Sequence, residues 1–198
     1  TKIEMLYGLL NEVQVGFSRE SFKKTYNIHV KYAIKKQTST FPVSIVGYNS
    51  INLDTSLDEN IYPNLNFNER YVYISQLLIS RRFSDNFSLQ LSPSVVKHNF
   101  LTTQSETDYN YILNTGSRLK ISKRSSFNID YSHHLNRLSS STEKNVLSLG
   151  IDMETGGHVF QLLFSNTQAS DEAGVLTMAE GDWLKGDVFF GFNILRVF

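Results

Sequence analysis

Cysteine is absent from the 198 residues, proline occurs three times, tryptophan once, and neither sign of charge is in excess, with 19 basic and 19 acidic side chains. Each shortage excludes something. Without cysteine there is no disulfide, no thiolate metal site and no cysteine nucleophile. Without a basic surplus there is no electrostatic case for binding nucleic acid. No apolar run approaches the roughly 20 residues that a transmembrane helix requires, and the mean hydropathy is −0.24. Hydropathy alone reads such a chain as soluble, yet transmembrane strands look the same, because only every second residue faces lipid. The chain opens on Thr1 with neither a methionine nor a signal peptide, which leaves the expectation of a removed leader or a longer parent chain.

What is present is alternation, rich in aromatics, with 14 Phe and 10 Tyr. Val13, Val15 and Phe17 alternate with Gln14, Gly16 and Ser18. Tyr26, Ile28, Val30, Tyr32 and Ile34 alternate with Asn27, His29, Lys31 and Ala33. Phe87, Leu89, Leu91, Pro93 and Val95 alternate with Ser88, Gln90, Ser92 and Ser94. The last segment does the same: counting back from Phe198 gives Arg196, Ile194, Phe192, Phe190 and Val188. A period of two sends successive side chains to opposite faces of a strand, and no helical period of 3.6 holds over a useful window.

The pattern predicts about eleven strands, near 1–9, 12–19, 25–35, 41–53, 69–82, 87–99, 110–122, 126–135, 145–154, 158–166 and 186–198. Several reach about ten residues, enough to cross a bilayer when tilted, whereas soluble strands average nearer 5–6. Connections at 10–11, 36–40, 83–86, 123–125 and 155–157 are tight. Those at 53–69, 99–109, 136–144 and 166–185 are long and polar, with 20–24 shorter. Short periplasmic turns and long outer loops mark the transmembrane barrel, whose terminal aromatic sits in an interfacial girdle. Phe198 then lies at the periplasmic end and closes the barrel, while Thr1 falls on the outer side. An even barrel with both termini in the periplasm has one more upward strand, so about twelve strands are expected in the complete protein and about eleven here. The fold expected is all-β, an up-and-down antiparallel barrel forming one domain over 1–198, its N-terminal strand and signal peptide missing.

Several stretches resemble a family of β-barrel proteins of unknown function from Bacteroidetes, the domain family DUF5777. They are Tyr71 to Ile79 with Arg82-Phe83-Ser84-Asp85, Phe87 to Pro93, Asp152-Met153-Glu154-Thr155-Gly156-Gly157-His158-Val159-Phe160-Gln161-Leu162, and the closing Gly186 to Phe198. The resemblance covers essentially the whole chain. It implies an outer-membrane barrel preceded by a signal peptide and a further upstream segment, and it brings no activity, so no catalytic residue carries over.

Candidate chemistry is sparse. Asp130, Ser132 and His134 share one strand face and have the residue types of a hydrolase triad. Same-face neighbours lie about 6.6–7 Å apart, too far for the hydrogen-bond reach of about 2.6–3.2 Å that a triad needs. His133 and His134 point to opposite faces and cannot share a metal. Gly156-Gly157 links two strands, where a phosphate-binding loop would open a helix; it reads as a hairpin turn. The polar face is expected to line a lumen with Glu12, Gln14, His29, Lys31, Gln76, Gln90, Arg118, Lys120, Asp130, Asp152, Gln161 and Asp187, and Arg118 is expected beside Asp130 across the 123–125 hairpin. Trp183, with Val175, Leu176 and Met178, makes an apolar cluster in the last long loop, where it plugs the lumen, meets a partner or anchors at the lipid interface.

The expected protein is a non-enzymatic outer-membrane barrel of a Gram-negative bacterium without cofactor or metal. It is a porin-like pore for small solutes, or a structural and partner-binding barrel of an envelope assembly. Its partners are the lipid bilayer, the barrel-assembly machinery and other envelope proteins, and not nucleic acid. Two alternatives stand beside this reading: a barrel enzyme acting on lipid, and a soluble barrel carrying a hydrophobic ligand, which would show the mirror pattern of apolar interior and charged exterior.

Overall fold

The computed structural model describes residues 1–101, 107–139, 141 and 144–196. Its strands are β1 (Lys2–Leu10), β2 (Val13–Glu20), β3 (Tyr26–Lys35), β4 (Ser44–Leu53), β5 (Tyr71–Arg82), β6 (Phe87–His98), β7 (Tyr109–Lys120), β8 (Ser125–His134), β9 (Val146–Thr155), β10 (His158–Ser165) and β11 (Phe189–Arg196), with a six-residue helix α1 (Glu172–Thr177) ahead of β11. The strands form one eleven-stranded sheet in sequence order, each antiparallel to the next. Phe198, assigned from sequence to barrel closure, lies outside the described residues. Among those residues the sheet is not closed: β1 and β11 each have a strand on one side only.

The register carries one face unbroken across the sheet. Ser18 stands opposite Asn27, Asn27 opposite Asn52, Asn52 opposite Val72, and Val72 opposite His98. This face is polar and largely buried, and α1 lies on it. The other face exposes large apolar side chains on strand after strand, among them Ile28, Ile51, Leu91, Leu113, Ile151 and Phe192. That is the polarity of a wall that meets hydrocarbon outside, the reverse of a soluble ligand carrier.

The outward face is also graded along its height. Tyr26, Tyr71, Tyr73, Tyr109, Tyr111 and Tyr131 stand toward the ends that carry the long loops, and Tyr7, Tyr32, Phe87, Phe127 and Phe160 toward the tight turns. Between them a ten-residue strand rises about 33 Å along its axis, or roughly 25 Å after the usual tilt, the height of a barrel's apolar band. Among the described strand residues every charged outward side chain is basic and sits near a strand end: Arg19 and Lys97 at the loop ends, Lys35, Arg81 and Arg196 at the turn ends. Arg19 lies 5.7 Å from the Tyr26 ring centroid, Lys97 5.6 Å from Tyr109 and Arg81 4.8 Å from Phe83, so each cation covers a rim aromatic and keeps its head at the interface.

Three local differences from the sequence expectation have plain causes. Residues 41–43 do not join β4: Pro42 lacks the N–H a ladder needs, and the connection after β3 runs over 36–43 instead of 36–40. Residues 186–188 precede β11, because Gly186 takes φ 78° as the cap of a short 3-10 turn at Trp183–Lys185. The third is Pro93 in mid-β6. The β5–β6 ladder runs from Val72–His98 to Gln76–Ser94 and resumes from Ile79–Leu91 to Arg82–Ser88, and it breaks between them where Pro93 has no N–H to give.

Candidate functional site

The inward face divides into two halves. Toward the turns it carries charged side chains such as Lys31, Arg118 and Lys120, with Val46, Leu78 and Val159 among them. Toward the loops four strands in a row place an apolar residue where the pattern calls for a polar one: Tyr48 on β4, Ile74 on β5, Val96 on β6 and Ile112 on β7. These residues form a buried cluster with Ala173 and Leu176 of α1. The segment 166–185 therefore leaves β10, turns onto the inward face and seats its helix there. Fully burying a leucine-sized side chain is worth about 1.5–3 kcal/mol, so Leu176 alone makes the seat more than incidental.

Polar contacts fasten the rest of the segment. The Asn166 Oδ1 accepts from Leu147 N at 2.8 Å, while its Nδ2 donates to Asn145 O at 2.9 Å and Gly181 O at 3.3 Å. Trp183 Nε1 donates to Leu147 O at 3.0 Å, and Lys144 pairs with Ala179 as an isolated bridge. On the opposite wall the Lys2 ammonium of β1 donates to Glu172 Oε1 at 2.8 Å, and Ser170 N donates to Glu20 Oε1 of β2 at 2.6 Å. One short helix thus touches strands from β1 to β9, which requires the sheet to curl round it.

Asp171 caps α1, accepting from Gly174 N at 3.0 Å through Oδ2. Its other oxygen, Oδ1, is buried without a partner, and so is Glu20 Oε2. Burial first, and the neighbouring Glu20 second, push the Asp171 carboxyl up to about 6. Glu4, His29 and Glu172 bring possible ligand atoms within 4.8 Å of one another. Within that group Lys2 Nζ stands 2.8 Å from Glu172 and 3.6 Å from Glu4 as their counter-charge. His29 Nδ1 is 2.8 Å from Asn27 Oδ1, an acceptor, so the proton sits on this nitrogen and the lone pair on Nε2.

Most residues assigned from sequence to the polar face stand on it: Gln14, His29, Lys31, Gln76, Gln90, Arg118, Lys120, Asp130, Asp152 and Gln161 all share the inward register. Glu12 and Asp187 do not lie in strands. Glu12 is exposed in the β1–β2 turn, 4.0 Å from Lys36, because the turn occupies 11–12. Asp187 is exposed in the lead-in to β11, its N–H donating to Asp182 O.

Arg118 and Asp130 share the inward face and line one cleft of about 280 Å³ with Ser80, Ser88, Gln90 and Asn128. They are diagonal, since Gly116 faces Asp130 and Arg118 faces Asn128. The connecting turn spans 121–124, one residue longer than 123–125 implied. Arg118 turns away to Ser126 at 2.9 Å, Glu154 at 3.2 Å and Asp152 at 4.0 Å. Asp130 instead accepts from Asn114 Nδ2 at 2.8 Å, and the same amide donates to Ser132 Oγ at 2.9 Å. An asparagine therefore occupies the position from which a histidine would have to activate Ser132. Ser132 is 1 % exposed and faces inward, away from lipid.

The elements that sequence reasoning missed are α1 and its seat. Tyr48, Ile74, Val96 and Ile112 were the available signal, four apolar residues in polar register on adjacent strands.

No curated protein and no solved structure matches the chain. A family model, described as a membrane-bound β-barrel domain, matches it over residues 1–198. The apolar outward face, the aromatic rims and the meander of strands agree with that description, and the chain belongs to the membrane-bound β-barrel domain family DUF5777.

Proposed function

We propose that this chain is the wall of a Gram-negative outer-membrane barrel stoppered by its own last long loop, and that it serves as a non-enzymatic structural or partner-binding barrel of the envelope and not as an open pore. The observation that carries the reading is the seat of α1 against Tyr48, Ile74, Val96 and Ile112 on the inward face. A pore lining needs mobile water along its length, and an apolar contact there excludes it. Strand direction supports a wall of about twelve strands: β1 and β11 both run from the loop end to the turn end, so one strand running the other way closes the wall with antiparallel ladders throughout.

Conductance separates the two readings. In planar bilayers the full-length protein is expected to be nearly silent, and a variant lacking 168–180 to conduct. A wild-type protein with steady open-channel conductance equal to that of the deletion refutes the stopper.

A further inference from the structure

Wall and stopper meet through two carboxyl groups. Glu20 at the loop end of β2 is 1 % exposed, and Asp171 at the start of α1 is 6 % exposed. Glu20 Oε1 holds Ser170 N at 2.6 Å, and Asp171 Oδ2 holds Gly174 N at 3.0 Å. Each therefore spends one oxygen on the backbone of the stopper and has one left over, buried and without a donor. The two carboxyl groups are neighbours, and two acceptors cannot satisfy one another, whereas one proton between them satisfies both.

We propose that a proton shared by Glu20 and Asp171 is the latch that holds the stopper in the wall, so that the loop end shuts in acid and loosens when the proton leaves. The inference rests on the stoppered-barrel reading and adds its regulation. The surroundings set the direction. Lys23 in the loop after β2 and Lys2 on β1 are the cations that act on Asp171, and beyond Lys2 stand Glu4 on β1, His29 on β3, Tyr48 on β4 and Glu172 on α1. Lys2 is taken by Glu172 and Glu4, and Lys23 Nζ lies 3.1 Å from Met178 Sδ. Neither ammonium forms an ion pair with Asp171 among the described residues, and burial and Glu20 outweigh the pull of Lys23 on its carboxyl.

The sign follows from linkage. The Asp171 carboxyl stands at about 6 when docked and about 4 when the loop is free in water. The docked form binds the proton more tightly. Docking is strongest below about pH 4, weakens as pH rises through about 6, and is level above that. A displacement of about two units is a hundredfold change in the docking equilibrium.

Hydrogen exchange on the full-length protein in detergent micelles, with EDTA present, tests this at the amides of Val175 and Met178, which bond to Asp171 O and Gly174 O. Protection corrected for intrinsic exchange is expected to fall about fiftyfold between pH 4 and pH 7, since at pH 4 about half of the free carboxyls still hold a proton. In Asp171→Asn, which keeps the cap, protection is expected to stay flat. Glu20→Gln is expected to shrink the fall, because the remaining carboxyl no longer has a charged neighbour. Flat protection in the wild type, or an undiminished fall in Asp171→Asn, overturns the latch and leaves the stopper standing. Free exchange at these amides at every pH overturns the stopper as well.

Discussion

Replacing Leu176 with alanine tests whether α1 is held by the wall or merely lies near it. Leu176 is 5 % exposed and packs into the cluster of Tyr48, Ile74, Val96, Ile112 and Ala173. The substitution removes three buried carbons, worth roughly 2.4 kcal/mol at about 0.8 each. A residual cavity against a stiff wall adds to that, within the range of about 2–5 kcal/mol found for buried leucines. The loss falls on docking of the segment and not on the ladders of β1 to β11, which Leu176 does not join. Limited proteolysis of the 166–185 segment in folded protein is therefore expected to speed up by about fiftyfold or more, since each 1.4 kcal/mol is tenfold in the open population. The urea midpoint for loss of β-sheet signal is expected to stay put. An Ile112→Ala partner completes a double-mutant cycle, whose coupling reports direct contact. Equal proteolysis of wild type and Leu176→Ala, with the sheet intact, refutes the seat.

Two further outcomes follow from the register. Leu91→Arg puts a charge on the outward face at mid-strand and is expected to cost about 2–4 kcal/mol in a refolding titration in lipid, while Gln90→Arg, one residue away on the inward face and near Asp130, is expected to be tolerated; equal penalties would mean the faces are misassigned. Gly16→Ala places a methyl group into the His29 ring and close to Leu6, an overpacking expected to cost about 1–3 kcal/mol, and His29→Ala added to it is expected to restore most of the loss in the same titration.

The strands were legible because a wall between lipid and a polar interior repeats one contrast at every second residue, and nothing in β2 or β8 disturbs it. The largest boundary shifts fall at Pro42 and Gly186, where backbone chemistry overrides side-chain pattern. The face of Arg118 and Asp130 was legible for the same reason as the strands. Their partners were not, because a turn beginning at 121 instead of 123 moves the register by two residues and makes the pair diagonal, and because Asp152 and Glu154 from β9 compete for the guanidinium. Helix α1 was hidden by its size: six residues hold fewer than two turns, too few to show a helical period. Its seat was visible only as four interruptions of the polar face, and these gain meaning only once β4 to β7 are known to be neighbours.

The break in the β5–β6 ladder at Pro93 has a mechanical consequence. A sheet resists bending about an axis along its strands chiefly through the hydrogen bonds between neighbours, and inside a bilayer no water replaces a missing one. Where Pro93 withholds its N–H, those two strands are tied above and below but not at the middle. Ile74 and Val96, two members of the helix seat, stand on these same strands just on the loop side of the gap. The wall therefore has a crease beside the place where it must fold most closely round an object six residues long. A proline that would be a fault in a flat sheet gives this one the compliance to grip.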